Sequence, residues 1–240
     1  MSGEDAALTI EAAVELLNEG DIEIEGRLPW SSNGTYLVTV SRDDTTVGGV
    51  YKPLSGERPL WDFPPGLHRR EVAAFELAME LGWPIIPPTV LREGPMGEGS
   101  VQLFINADFE QHHFTLVEDR AHHDQLRQMA LFDVIANNTD RKSGHCLVDG
   151  GGNIWGIDNG LCFSVEFKLR TVIWDFAGQP IPRSWLVCIQ HVAAGGAAAR
   201  LDGLLTAAEI DAVAGRAGQL VELGCFLEDR HGHRWPWPLV

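Results

Sequence analysis

The run Asn137-Asn138-Thr139-Asp140-Arg141-Lys142, closing at His145, concentrates polar residues directly behind an apolar helical stretch. Loops anchored by rigid elements are where catalytic groups sit. Asp140 can accept the proton of a substrate hydroxyl, and Asn137, Asn138 and His145 can hold a metal ion or a phosphate. The same residue types also build an Asx-rich turn that only caps a helix. A second candidate is Ile154-Trp155-Gly156-Ile157-Asp158-Asn159-Gly160, where Asp158 ends an apolar strand and precedes a glycine. A carboxylate in that position can fix Mg2+ against nucleotide phosphates. Asn159-Gly160 is equally an ordinary hairpin-turn signal.

Lys52, in Val50-Tyr51-Lys52-Pro53, ends another apolar run and can neutralise phosphate if a carboxylate positions it; Glu71 is the natural partner. The plain alternative is a solvated edge lysine and a glutamate favoured by a helix N-terminus. Ser31-Ser32-Asn33-Gly34-Thr35 lies between two strand-like runs, where hydroxyls and backbone N–H groups can cover phosphates. A hairpin turn explains it as well. Order changes the weighing. A phosphate-covering turn, a strand lysine, a helix glutamate, a hinge-like strand, an aspartate loop and a metal-site aspartate follow one another as phosphoryl transfer requires.

The elements that must hold these groups can be read from periodicity. Residues 9–18 read as an amphipathic helix closed by Gly20, and 21–26, 35–40 and 47–51 as the strands of an antiparallel meander. Residues 67–81 and 124–137 read as strong helices, the first stopped by Gly82 and Pro84. Strand candidates fall at 89–92, 100–105, 146–148 and 154–157, and the chain beyond Gly160 reads as mostly helical, with 201–223 rich in Ala, Leu and Glu. The expected fold is α+β. One catalytic domain spans 1–240, with a small antiparallel-sheet lobe over about 1–105 and a mostly helical lobe over about 106–240.

Composition narrows the partners. The chain has 240 residues, 45% of them hydrophobic, and a net charge of −16. Such a charge, without a polybasic run, disfavours nucleic acid and anionic membrane surfaces. The acidic residues 1–7 do not form a signal peptide, and no apolar run can span a bilayer. Cys146, Cys162, Cys188 and Cys225 lack paired spacing and read as reduced thiols of a cytoplasmic protein. His112, His113, His122 and His123 form adjacent pairs and read as a solvated loop and helix start. Trp174 and Phe176 read as packing under a loop, and Trp235 and Trp237 as pins for the tail.

At Ser31–Tyr36, Val50–Pro53, Arg70-Glu71-Val72-Ala73-Ala74-Phe75, Asn138-Thr139-Asp140-Arg141 and Ile157-Asp158-Asn159-Gly160 the chain resembles the phosphatidylinositol 3-/4-kinase-like family, most closely type II 4-kinases and their bacterial relatives. The Asp-Arg and Ile-Asp-Asn-Gly pair is the specific part. The segment 138–141 is also similar to the catalytic loop of HipA-like toxin kinases. The resemblance implies a two-lobed protein-kinase-like fold that uses ATP and Mg2+. It makes Lys52 the ligand of the α- and β-phosphates, Glu71 its orienter, and Gln102, Leu103, Phe104 and Ile105 the adenine hinge. It makes Asp140 the catalytic aspartate and Asp158 the main metal ligand. The family places an asparagine after the Asp-Arg pair as second metal ligand, whereas the spacing here leads to His145. That points to His145 as a metal or phosphate contact, to a single Mg2+, or to a preference for Mn2+.

The expected function is an ATP- and metal-dependent kinase acting on a hydroxyl of a soluble small molecule or a protein. Residues 163–182 stand where an activation loop would be, and Lys168 and Arg170 there can read an acidic substrate. Two other functions use the same parts: a nucleotide-binding pseudokinase that regulates a partner, and transfer of AMP from a reversed nucleotide. A non-catalytic α+β domain built of ordinary turns is the remaining alternative.

Overall fold

A computed structural model describes residues 8–29, 31, 33–230 and 232–239. The chain forms two compact units. One comprises the residues up to Arg58 with Pro88–Phe104; the other comprises Pro59–Pro87 and everything from Ile105 onward. Pro59–Pro87 groups with the second unit, and the chain passes to that unit again after Phe104.

The first unit opens with α1 (Ile10–Glu19), whose N-cap Thr9 accepts from the Ala12 N–H. Then come β1 (Asp21–Arg27), β2 (Tyr36–Arg42), β3 (Thr45–Pro53), β4 (Thr89–Gly94) and β5 (Gly97–Leu103), which pair antiparallel in the order β1-β2-β3-β5-β4. Leu16 and Leu17 of α1 pack on Val38, Val40, Tyr51, Val90 and Val101. Strand side chains alternate between faces. Tyr51 and its partner Val101 therefore face α1, and Lys52 with its partner Ser100 faces the other way. The buried Tyr51 ring requires Gly99, where a Cβ would lie 2.6 Å from the ring. Its hydroxyl donates to the Gly97 carbonyl and so pins the β4–β5 turn.

The second unit is mostly helical: α2 (Leu67–Glu80), α3 (His113–Leu116), α4 (His123–Ala136), α5 (Arg183–Ala193), α6 (Ala198–Leu201) and α7 (Ala207–Leu223). A hairpin of β6 (Cys146–Val148) and β7 (Ile154–Gly156) lies between α4 and α5. Helix α4 packs against α2 and α7. It buries Leu126, Met129, Ala130, Leu131, Phe132, Ile135 and Ala136, more than one face of the helix, as a central helix must.

Several expectations are corrected here. Helix resumes only at Arg183, because 161–182 is irregular backbone bonded to the loop after α4. Its apolar residues Leu169, Val172, Ile173, Phe176 and Ile181 are buried without helical repeat. The last long helix starts at Ala207 with a Thr206/Glu209 capping box, so 202–206 breaks the expected run. His113 is not solvated: it is fully buried and its Nε2 lies 2.9 Å from Asp175 Oδ2. The tail is not pinned by its tryptophans, since Trp237 is 87% exposed. Backbone bonds hold it instead, from Ser143 N to Leu239 O and from Thr171 N to Arg234 O. Trp174 and Phe176 do pack, the indole N–H donating to Thr171 O. All four cysteines are free, and no helix among the described residues is long and apolar enough to cross a membrane.

Candidate active site

Helix α4 ends at Asn137, whose left-handed backbone (φ 52°) turns the chain into the polar loop. Asn137 is consumed in this turn: its amide donates to the carbonyls of Ser164 and Glu166 and accepts from Lys168 N. Asn138 is likewise occupied, donating to Asp133 and accepting the Asp140 N–H. Neither asparagine is placed to bind a metal or phosphate; both shape the loop.

Beneath the loop, Asp133 is fully buried and accepts from Arg141 Nε, Asn138 Nδ2 and Thr171 Oγ1. Burial pushes the Asp133 carboxyl upward, and Arg141 pulls it back. We take it as ionised, because a guanidinium and two further donors converge on it. Burial alone would loosen the Arg141 proton, but Asp133 more than compensates and holds the guanidinium charged. Arg141 also donates to the Ile157 carbonyl at 2.9 Å and to Asn159 Oδ1 at 2.7 Å. The arginine of the Asp-Arg pair is therefore a scaffold. It ties α4, the loop and the 157–159 segment into one piece.

Asp140 and Asp158 project from that piece. The Asp140 side chain is 24% exposed, and Lys142 Nζ lies 3.1 Å from its Oδ2. Burial raises the Asp140 carboxyl above the usual range; Lys142 opposes this and Asp158 adds to it. Asp158 adopts φ 59°, a left-handed conformation that concentrates at functional sites, and its side chain is 57% exposed. His145 joins the two. Its Nδ1 lies 2.9 Å from the Asp140 carbonyl oxygen. A carbonyl only accepts, so Nδ1 carries the proton, and the 3.4 Å approach of the Lys142 N–H is secondary. Burial lowers the His145 pKa to about 4 against the pull of Asp158, leaving a neutral ring whose Nε2 lone pair lies 3.6 Å from Asp158 Oδ2.

Two lone-pair donors facing each other in this way fit a divalent cation. The described residues contain no group of three His, Cys, Asp or Glu side chains arranged for a metal. Further ligands at this site would have to be phosphate oxygens and water. The mixed nitrogen–oxygen pair suits Mn2+ better than Mg2+.

Glu71, buried in α2, accepts the Asn159 backbone N–H at 2.9 Å. A Cβ at Gly160 would stand 3.3 Å from Glu71 Oε1, so glycine lets α2 come this close. Glu71 thus anchors the turn that carries Asp158, a role that its expected service to Lys52 did not suggest. Among the expected site residues, the second unit brings together Asp140, His145, Asp158 and Glu71. Their scaffold escaped because Asp133 is one polar residue inside the apolar second half of α4, and its partners lie 8 and 38 residues away.

The remaining expected residues up to Phe104 lie in the first unit, where Lys52 sits on the sheet face opposite the core. Ser31 and Thr35 hydroxyls are 2.7 Å apart, Asn33 accepts from Arg58 N, and the Gly34 N–H donates to Gly56 O. The Gly34 N–H is thus committed to Gly56, just after β3, rather than open to a phosphate; Ser32 lies outside the described residues. Along the expected hinge, Gln102 donates to Thr89 Oγ1, and the Leu103 and Phe104 N–H groups donate to the carbonyls of Pro88 and Gly48. Ile105 opens the second unit.

No protein-family model matches the chain. Among solved structures, it resembles hydra Fam20 with sugar, with a TM-score of 0.61 and 14% identity over 91% of this chain and 89% of that one. The Golgi casein kinase with Mn/ADP bound superposes with a TM-score of 0.58 at 15% identity, over 96% of this chain and 80% of that one. The Helicobacter pylori proinflammatory kinase CtkA gives 0.51 at 11% identity, over 88% and 94%. The fold is thus that of the atypical protein-kinase-like proteins. In sequence the chain is 37% identical over 261 aligned residues to protein Rv2133c of Mycobacterium tuberculosis, covering 93% of this chain and 94% of that protein. At that identity over nearly the whole of both chains, this protein belongs to the Rv2133c family.

Proposed function

We propose that the chain is an ATP- and divalent-metal-dependent phosphotransferase that moves the γ-phosphoryl group onto a hydroxyl of a soluble small molecule or a protein. The observation that carries the reading is the arrangement of Asp140 and Asp158 on one buried Asp133–Arg141 scaffold, with His145 between them. In the transfer, the acceptor oxygen bonds to the γ-phosphorus. The bond to the β–γ bridging oxygen breaks, and ADP leaves with the electron pair. The hydroxyl proton passes to Asp140, whose raised affinity for protons suits it to that task. Asp158 and His145 would hold the metal, which when bound supplies charge neutralisation for the phosphates. Lys52 would meet the α- and β-phosphates, the 31–35 turn would cover them, and the 102–105 segment would receive adenine.

The resemblance of the Asp-Arg and Ile-Asp-Asn-Gly motifs supports placement near the phosphatidylinositol 3-/4-kinase-like branch. The net charge of −16 supports an acceptor away from anionic membranes, and the free cysteines agree with a cytoplasmic setting. Among the structural neighbours, one is described with sugar and another with Mn/ADP bound, which fits a nucleotide, a divalent metal and a hydroxyl acceptor. A nucleotide-binding regulator without turnover is the second reading; His145 in place of an oxygen ligand favours it. AMP transfer would use the same groups with the nucleotide reversed.

The test is thermal unfolding with ATP plus Mg2+ or Mn2+, run on the parent and on Asp158→Ala. A ligand at about a hundred times its dissociation constant adds roughly 2.7 kcal/mol. A metal-dependent shift that disappears in Asp158→Ala supports a nucleotide site. No shift with any nucleotide and metal defeats both the kinase and the regulator readings.

A further inference from the structure

A side chain one strand away from the loop bears on the acceptor. The segment around Thr171 runs parallel to the loop: Arg141 bridges Thr171, Arg141 N donates to Arg170 O at 3.1 Å, and Val172 N donates to Arg141 O at 3.1 Å. Arg170 N also donates to Asn138 O at 2.8 Å. Arg141 and Thr171 are bridge partners, and both side chains reach the same buried oxygen, Asp133 Oδ2, at 3.2 and 3.0 Å. They share the inner face. Side chains alternate along extended backbone, so the preceding residue on each segment, Asp140 and Arg170, faces outward. Paired extended segments lie about 4.8 Å apart, so a guanidinium on one is within a small molecule's length of a carboxylate on the other.

Arg170 is also the cation left over at this face. Lys142 is held by Asp140 at 3.1 Å. Lys168 lies 3.7 Å from Glu166 and 3.4 Å from the Asp62 carbonyl. The Arg234 guanidinium stacks 5.1 Å from the centre of the Phe167 ring. Arg170 is exposed and has neither a carboxylate nor a ring partner among the described residues. Its backbone, by contrast, is bonded at both N–H and C=O. An exposed arginine on fixed backbone can take a carboxylate or phosphate in a forked pair of hydrogen bonds.

We propose that Arg170 selects the acceptor, and that the acceptor is a small hydroxyl compound carrying a carboxylate or a phosphate group next to the hydroxyl offered to Asp140. This rests on the phosphotransferase reading above. Arg170 takes the anionic group and thereby sets the hydroxyl against Asp140; it takes no proton and contacts no transferring phosphoryl oxygen.

The experiment is an ADP-release assay with ATP and Mn2+ or Mg2+, using matched three-carbon acceptors: glycerol, glycerate and glycerol 3-phosphate, followed by larger polyols, sugar acids and sugar phosphates in the same neutral and anionic sets. Stimulation confined to anionic members is expected, and the glycerate and phosphate arms tell which anion is read. Arg170→Ala should raise KM for the preferred anionic acceptor roughly ten- to a hundred-fold with a much smaller change in kcat, and Arg170→Lys should recover part of the loss. Preference for neutral acceptors overturns the proposal, as does an Arg170→Ala KM equal to that of the parent. So does silence toward every anionic member while the parent still shows its metal-dependent nucleotide shift. Loss of that shift in the parent defeats the phosphotransferase reading itself, which separates the two failures.

Discussion

Arg141 Nη2 lies 3.0 Å from Asp133 Oδ1, and neither side chain is exposed to solvent. A pair like this is costly to bury and more costly to break. Its value is geometric, because Arg141 also holds Asn159 and the Ile157 carbonyl, on either side of Asp158. Removing the carboxylate strands a buried guanidinium. Asp133→Ala should lose about 3–5 kcal/mol, read as a lower midpoint in urea with an unchanged slope. A loss below about 1 kcal/mol would mean that Arg141 finds another partner and that the scaffold is not centred on Asp133.

The Asp158 backbone separates function from stability at one position. At φ 59° a glycine is at ease, so Asp158→Gly should stay within about 1 kcal/mol of the parent in stability. The same substitution removes the proposed metal ligand and should abolish the stabilisation by nucleotide and metal. A variant that keeps the ligand-induced shift would remove Asp158 from the metal site.

The Asn159 N–H donates to Glu71 and so links α2 to the turn that carries Asp158. Glu71→Gln keeps an acceptor oxygen; Glu71→Ala leaves a buried N–H without one, at a cost of about 1–3 kcal/mol. Amide hydrogen exchange at Asn159 should quicken markedly in the alanine variant and little in the glutamine variant. Equal exchange in all three proteins would show that the turn is held by Arg141 and Asn159 alone.

His145 should decide the metal. Asn in its place can still donate to the Asp140 carbonyl, and its amide oxygen then points toward Asp158 from the ring's Cδ2 position, one bond short of where Nε2 now stands. His145→Asn should therefore move the preference from Mn2+ toward Mg2+, measured as the ratio of nucleotide-induced Tm shifts with the two ions. An unchanged ratio would place His145 outside the coordination shell.

Local elements were legible because their signals are local. Thr9 and Gly20 bracket α1, and β6 falls on the expected residues, since caps and apolar alternation are encoded within a few positions. Asp140 and Asp158 stood out by their turn context. What escaped is what depends on distant partners. Asp133 inside α4 looks like a solvent-facing residue until Thr171 and Arg141 arrive. The 161–182 segment is apolar enough to suggest helix, yet its backbone is spent on Asn138, Arg141 and Ala136. His113 reads as a solvated residue until Asp175 arrives, and the tail tryptophans read as anchors although the backbone holds the tail and Pro236 is the residue buried there.

Acid should expose Glu209, a carboxylate that caps α7 and ties it to α2 at once. Burial alone would raise the Glu209 pKa, but the Thr206 N–H and hydroxyl and the Arg70 guanidinium together bring it below the usual value. A carboxylate whose folded pKa lies below its unfolded one stabilises the protein fully above the unfolded value. That contribution fades as pH falls through the folded value. Glu209→Gln removes the titration while keeping an acceptor for Thr206. It should lower Tm at neutral pH, where Arg70 loses its counter-ion, and the gap from the parent should narrow as pH drops below the ordinary glutamate range. Tm measured from neutral pH down to about 3 checks this, across the interval in which a glutamate titrates. A gap that stays constant with pH would mean that packing around Glu209, rather than its charge, joins the two helices.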